Sequence, residues 1–200
     1  MDEGYIKFKA EWTQAPALPF DRLARLDHWR RKLYSLGLIG SYPGGIGYGN
    51  LSCRWDKPGQ FAITGSATGN LPELDSRHYS LVTAVDLTQN RLWCQGPLVA
   101  SSESMSHAVI YRECPQVMGV VHVHHLRLWE QLLHRVPTTD PSAAYGTPEM
   151  ARSIIRLLQE TNLPEQRIFV MEGHREGIFA FGKNLDDAGE VLLHHFHELT

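Results

Sequence analysis

The sequence predicts an α/β layered domain, a largely antiparallel sheet covered by helices. Three observations lead there. Short apolar runs come in pairs separated by turn residues, at 57–59 and again at 88–90. Longer segments with apolar residues three and four apart lie before, between and after those pairs. The chain has 200 residues, 42% of them apolar, which suffices for a proper core. No repeat or linker divides it, so 1–200 is read as a single domain.

Taken in order, residues 1–12 carry Asp2, Glu3, Lys7, Lys9 and Glu11 and lack the apolar run of a signal peptide. Leu23, Leu26, Trp29, Leu33 and Leu36 form one stripe of a helix over 21–38, with Asp21 as N-cap and Gly37 and Gly40 as its stop. Residues 42–50 hold Pro43 and the glycines 44, 45, 47 and 49 and read as a loop. Strands 51–55 and 60–64 form a hairpin, as do 79–87 and 91–95. A helix follows Ser101-Ser102 and runs to about Glu113, before Pro115. The valine-rich 117–124 is a strand, and 125–134 is helical. A stronger helix spans 147–161 with Pro148 near its first turn. Strands at 167–171 and 177–181 and a helix at 185–199 complete the chain.

Composition narrows the function. A net charge of -3 and a pI near 6.4 give no electrostatic case for nucleic acid or anionic membrane. No apolar run approaches the roughly 20 residues that cross a bilayer. Cys53, Cys94 and Cys114 are an odd set without C-x-x-C spacing and read as reduced thiols, which points to the cytoplasm. Histidine is unusually abundant, at 11 residues.

His122 and His124 are two apart on a strand, so both imidazoles project from one face while Val121 and Val123 face the other. That presents two nitrogens to one metal ion. With this much histidine, chance gives roughly one H-x-H, and His195-Phe196-His197 is read as that chance copy on a helix. His125 points away from the pair and is not counted as a ligand. The glycines of 44–49 lack the strand-to-helix setting of a nucleotide loop and read as a tight turn approaching the site. Glu103 lies at a helix start, where its charge also suits the helix dipole. Ser101 and Ser102 fit an N-cap as well as an anion site. His107, four residues after Glu103, either supports that site or is a core histidine.

The order Gly49-Asn50-Leu51-Ser52, Ile63-Thr64, Ser101-Ser102-Glu103, His122-Val123-His124, Tyr145-Gly146-Thr147 and Gly173-His174 resembles the class II aldolase/adducin family, from about Leu23 to the C-terminus. The resemblance implies an α/β/α sandwich around a mainly antiparallel sheet. It implies His122, His124 and His174 as ligands of zinc, or of another divalent metal such as Mn²⁺, Fe²⁺ or Co²⁺, and Glu103 as catalytic acid/base. It also implies phosphate binding by Asn50, Ser101 and Ser102, together with the stretch that holds Thr64 and Ser66. Members form homotetramers with active sites at subunit interfaces.

Three neutral imidazoles leave the metal's charge uncompensated and a position open, the catalytic pattern. A hydroxyketone chelated there would pass through an enediolate, with Glu103 moving the proton. The reading is therefore a lyase or isomerase acting on a small hydroxyketone, a sugar phosphate. The alternatives are a ketose-phosphate dehydratase resembling methylthioribulose-phosphate dehydratase, or a non-catalytic adducin-like scaffold.

Two departures qualify the match. The family's proline in the phosphate stretch is absent from Ile63-Thr64-Gly65-Ser66-Ala67-Thr68-Gly69. The excursion between His124 and Tyr145 is short and holds no proton-donor tyrosine, leaving Tyr145 or Tyr48 of a neighbouring subunit for that part.

Overall fold

The computed structural model describes residues 5–199. Residues 1–4, which include Asp2 and Glu3 of the N-terminal reading, and Thr200 lie outside the described part. Strand β1 (Lys9–Gln14) leads into helix α1 (Phe20–Ser35). The short strands β2 (Gly40–Ser41) and β3 (Gly47–Tyr48) pair with each other ahead of the hairpin β4 (Asn50–Arg54) and β5 (Phe61–Thr64). A 3-10 turn at Ser76–His78 enters the second hairpin, β6 (Tyr79–Asp86) and β7 (Arg91–Gly96). There follow α2 (Ser104–Glu113), β8 (Gly119–His124), α3 (Leu126–Leu132), α4 (Pro148–Glu160) and α5 (Leu163–Gln166). β9 (Ile168–Val170), β10 (Gly177–Gly182) and α6 (Leu185–His197) close the fold.

Eight strands form one sheet in the order β1-β7-β6-β5-β4-β8-β10-β9. Every pairing is antiparallel except β1 on β7, so the sheet is mixed. Helices cover both faces. On one, Met105, Val109 and Ile110 of α2 and Ile154 and Leu157 of α4 pack on Phe61, Ile63, Val120 and Phe179. On the other, Leu23, Leu26 and Leu33 of α1 and Leu192 of α6 pack on Leu51, Val121, Val123 and Ile178. All six residues of β8 and of β10 are buried, as expected of strands covered on both sides. The period-2 alternation puts Val120 in one core and Val121 and Val123 in the other.

The helices α1 and α6 touch through a glycine. A Cβ built on Gly189 would stand 2.2 Å from the Trp29 ring, so only glycine lets the indole lie there. No helix among the described residues is long and apolar enough to cross a membrane.

Four readings of the sequence are corrected. Asp21 is not the N-cap of α1. Pro19, with φ −58 and ψ 121, ends the extended entry, and the helix starts at Phe20 with Asp21 in its first turn, facing the positive end of the dipole. The segment 42–50 is not only loop, because β3 falls inside it and pairs with β2. β1 went unread because its side chains are mostly polar and exposed, as suits an edge strand. It is held by backbone pairing, by Trp12 Nε1 donating to Gly96 O at 3.0 Å and by the Arg91–Glu11 ion pair at 2.6 Å. Finally, α2 follows Ser101-Ser102 and ends at Glu113 as read, but its N-cap is Glu103 and neither serine. Ser104 Oγ donates to Ser101 O at 2.6 Å, closing a turn that places Ser101 and Ser102 before the helix and Glu103 at its cap.

Candidate metal centre

β8 sits between β4 and β10, and its register places His122 beside Asn50 on one neighbour and Phe179 on the other. Its alternation turns His122 and His124 to the same face, with their Nε2 atoms 3.1 Å apart. His174 comes from the β9–β10 connection and joins them. One ligand atom from each of the three lies within 4.8 Å of the others. All three rings are buried.

The outer nitrogens fix the tautomers. His122 Nδ1 donates to Ile178 O at 3.1 Å. Tyr42 donates its hydroxyl hydrogen to Glu176 Oε2 at 2.8 Å, so its oxygen accepts from His124 Nδ1 at 3.1 Å. Both Nε2 lone pairs then converge on one point. Burial, and secondarily the neighbouring imidazoles, hold His122 and His124 neutral, with pKa values well below the ordinary range. Burial and then Lys7 lower His174 to about 4. Two neutral nitrogens with facing lone pairs repel each other unless a cation lies between them. Tetrahedral zinc with imidazole ligands sets such nitrogens about 3.3 Å apart. The donor set therefore fits a divalent metal.

Glu103 stands at the edge of this cluster, its Oε1 3.3 Å from His174 Nε2 and 3.9 Å from His122 Nε2. Ser106 Oγ donates to its Oε2 at 3.3 Å, which leaves Oε1 toward the histidines. Asn50, Ser66, Ser101 and Ser102 line the cavity that the three histidines and Glu103 close. Gly49 makes this approach feasible. It has φ +79, and a Cβ there would meet Ile39 Cγ1 at 2.7 Å and His122 O at 3.2 Å.

Thr64 does not join them. Its Oγ1 accepts from Leu51 N at 3.3 Å inside the hairpin, and the cavity lining takes up Thr68 instead. The residues 65–69 lack the family's proline but are held from below by Arg30. Its buried guanidinium donates to Thr68 O at 2.9 Å, Gly69 O at 3.3 Å and Pro72 O at 2.9 Å.

Tyr48 and Tyr145, read from the sequence as candidates from a neighbouring subunit, line the cavity of their own chain. Tyr145 lies against His174, ring centroids 4.6 Å apart, and accepts from Tyr5 N at 3.2 Å. His125 points elsewhere and caps α3 by accepting from Leu128 N at 3.1 Å. His107 turns away from Glu103 toward Ser52 and Asn50. Tyr42, Glu176, Arg30 and Tyr5 carried no motif or spacing by which the sequence could have singled them out.

The chain belongs to the class II aldolase/adducin family. The family description Class II Aldolase and Adducin N-terminal domain matches residues 31–129. Among solved structures, an L-fuculose 1-phosphate aldolase is similar at 20% identity and TM-score 0.66, over 92% of this chain and 91% of that one. The L-fuculose-1-phosphate aldolase of Thermus thermophilus is similar at 25% identity and TM-score 0.59, over 90% and 88%. A sugar-phosphate aldolase from Thermotoga maritima is similar at 16% identity and TM-score 0.65, over 88% and 92%.

Proposed function

We propose that this chain is a divalent-metal-dependent lyase of the aldolase type acting on a small hydroxyketone, a sugar phosphate. The observation that carries the reading is the convergence of three neutral imidazoles beside the buried carboxylate of Glu103, at the closed end of a cavity lined by hydroxyl and amide groups. His122, His124 and His174 would hold the ion, zinc first among Zn²⁺, Mn²⁺, Fe²⁺ and Co²⁺, since three imidazoles suit all of these. When bound, the ion supplies Lewis-acid stabilisation of negative charge on the substrate's carbonyl and hydroxyl oxygens.

Glu103 moves the proton. With Oε2 held by Ser106, Oε1 takes a proton from the carbon next to the substrate carbonyl in the addition direction and returns it in cleavage. The hydroxyls of Ser66, Ser101 and Ser102 and the amide of Asn50 take the phosphate end. The neutrality of the histidines keeps the ion's charge undiminished for the substrate. Family resemblance supports assembly as a homotetramer, and three free cysteines support a cytoplasmic setting.

The test is elemental mass spectrometry of metal per chain, on gently purified protein and on His122→Ala, followed by a screen of sugar phosphates. About one divalent ion per chain, lost in the variant, with release of an aldehyde product, is the expected result. A dehydrated product would assign the chain to the dehydratase alternative. Absence of metal after reloading with zinc or manganese would overturn the enzyme reading in favour of an adducin-like scaffold.

A further inference from the structure

Four polar side chains run in a row beneath the cavity: Tyr111, Ser52, His107 and Asn50. Ser52 Oγ lies 2.8 Å from the Tyr111 hydroxyl and 2.7 Å from His107 Nδ1. His107 Nε2 lies 2.6 Å from Asn50 Oδ1. All four residues are buried, and the His107 ring is wedged between Phe61 and Phe179, with centroids 6.5 and 5.2 Å away. Away from water, every hydrogen in the row needs an acceptor within it.

Distances alone leave the direction open, because a serine and a neutral histidine can each be used either way round. The far end decides. Among the described residues, the Tyr111 hydroxyl has Ser52 Oγ as its one hydrogen-bond partner, so its hydrogen goes there. Ser52 then donates to His107 Nδ1. Burial keeps the His107 ring neutral, its pKa lowered to about 3, so the ring's single proton sits on Nε2 and is donated to Asn50 Oδ1. The opposite direction would leave a phenol hydrogen aimed at nothing in a buried wall.

We propose that His107 is a positioning residue that binds the amide oxygen of Asn50 and thereby turns its NH₂ group into the cavity, as a donor to an anionic oxygen of the substrate. Asn50 lines the cavity, and its amide nitrogen has no hydrogen-bond partner among the described residues. It stands beside His122 in the strand register, so its two N–H groups flank the histidine cluster. Turned the other way, Asn50 would present a carbonyl oxygen there and repel an anion. The anionic target rests on the function proposed above; the orientation of Asn50 rests on the hydrogen-bond row alone.

The first test is ¹⁵N NMR of histidine-labelled, zinc-loaded full-length protein. His107 is expected as the neutral tautomer protonated on Nε2, and protonation on Nδ1 overturns the proposal whatever the enzyme does. The second uses inorganic phosphate as probe, with the Asn50 side-chain amide signals as readout. His107→Leu should weaken phosphate binding about tenfold or more with zinc content kept, whereas His107→Gln, which retains an N–H near the Nε2 position, should keep most of it. Equal phosphate binding by zinc-loaded wild type and His107→Leu would overturn the positioning role. An Nε2–H tautomer in a protein without lyase activity would sink the function above and leave this orientation standing.

Discussion

Each imidazole of the β8 pair has its outer nitrogen already engaged, and the two are engaged differently. His122 gives its Nδ1–H to a backbone carbonyl, which no substitution removes. His124 relies on a side chain, the Tyr42 hydroxyl, itself oriented by Glu176. Tyr42→Phe takes away that acceptor oxygen while keeping the ring. Metal affinity is expected to fall roughly 10- to 100-fold, as for loss of other groups that orient a ligand histidine. Competition against a chromogenic chelator measures it, and an unchanged affinity would show that Tyr42 does not set the His124 tautomer. Glu103 is oriented in the same manner, its Oε2 held by Ser106 and its Oε1 turned to His174.

Helices α1 and α6 meet where the Trp29 ring lies on Gly189. Gly189→Ala puts a methyl group 2.2 Å from that ring, and overpacking of this kind costs about 1–3 kcal/mol. Urea denaturation should show that loss. Arg30 follows Trp29 directly and clasps residues 65–69, so a shifted α1 should also weaken substrate binding. At this scale the legible and illegible parts of the sequence separate cleanly. The stripe Leu23, Leu26, Trp29 and Leu33 announced α1, and turn residues announced both hairpins, because those signals are local. The His122–His124 spacing was local too, and Glu103 and His174 followed from the family pattern. β1 was not legible, since a polar edge strand has no alternation to show and its partner β7 is far along the chain. Nor was the Tyr42–Glu176 clasp, whose two residues come from separate loops, or Arg30, whose acceptors are backbone oxygens that carry no sequence signature.

For the molecule as a whole, the buried histidines tie stability to pH. His107 is neutral in the fold, its pKa lowered by burial to about 3 from an ordinary value of 6.5. As pH falls, the unfolded chain takes up this proton first. The stability is therefore complete above pH 6.5 and is lost progressively from there down to about pH 3. This one residue should remove about 2 kcal/mol by pH 5. In metal-free protein His122 and His124, lowered in the same direction by burial, add to that loss. Urea titrations of metal-free protein at pH 7.5 and pH 5 should show it, with a shallower pH dependence in His107→Gln; stability independent of pH would refute it. The parallel seating of β1 on β7 has a practical consequence of another kind. It delivers Tyr5 to the cavity lining, exposed and hydrogen-bonded to the tyrosine that covers His174. Anything fused ahead of Tyr5 is tethered at the cavity entrance. A polyhistidine affinity tag placed there would carry a string of surplus imidazoles to the native ones, so metal stoichiometry is to be read from protein tagged at the other end.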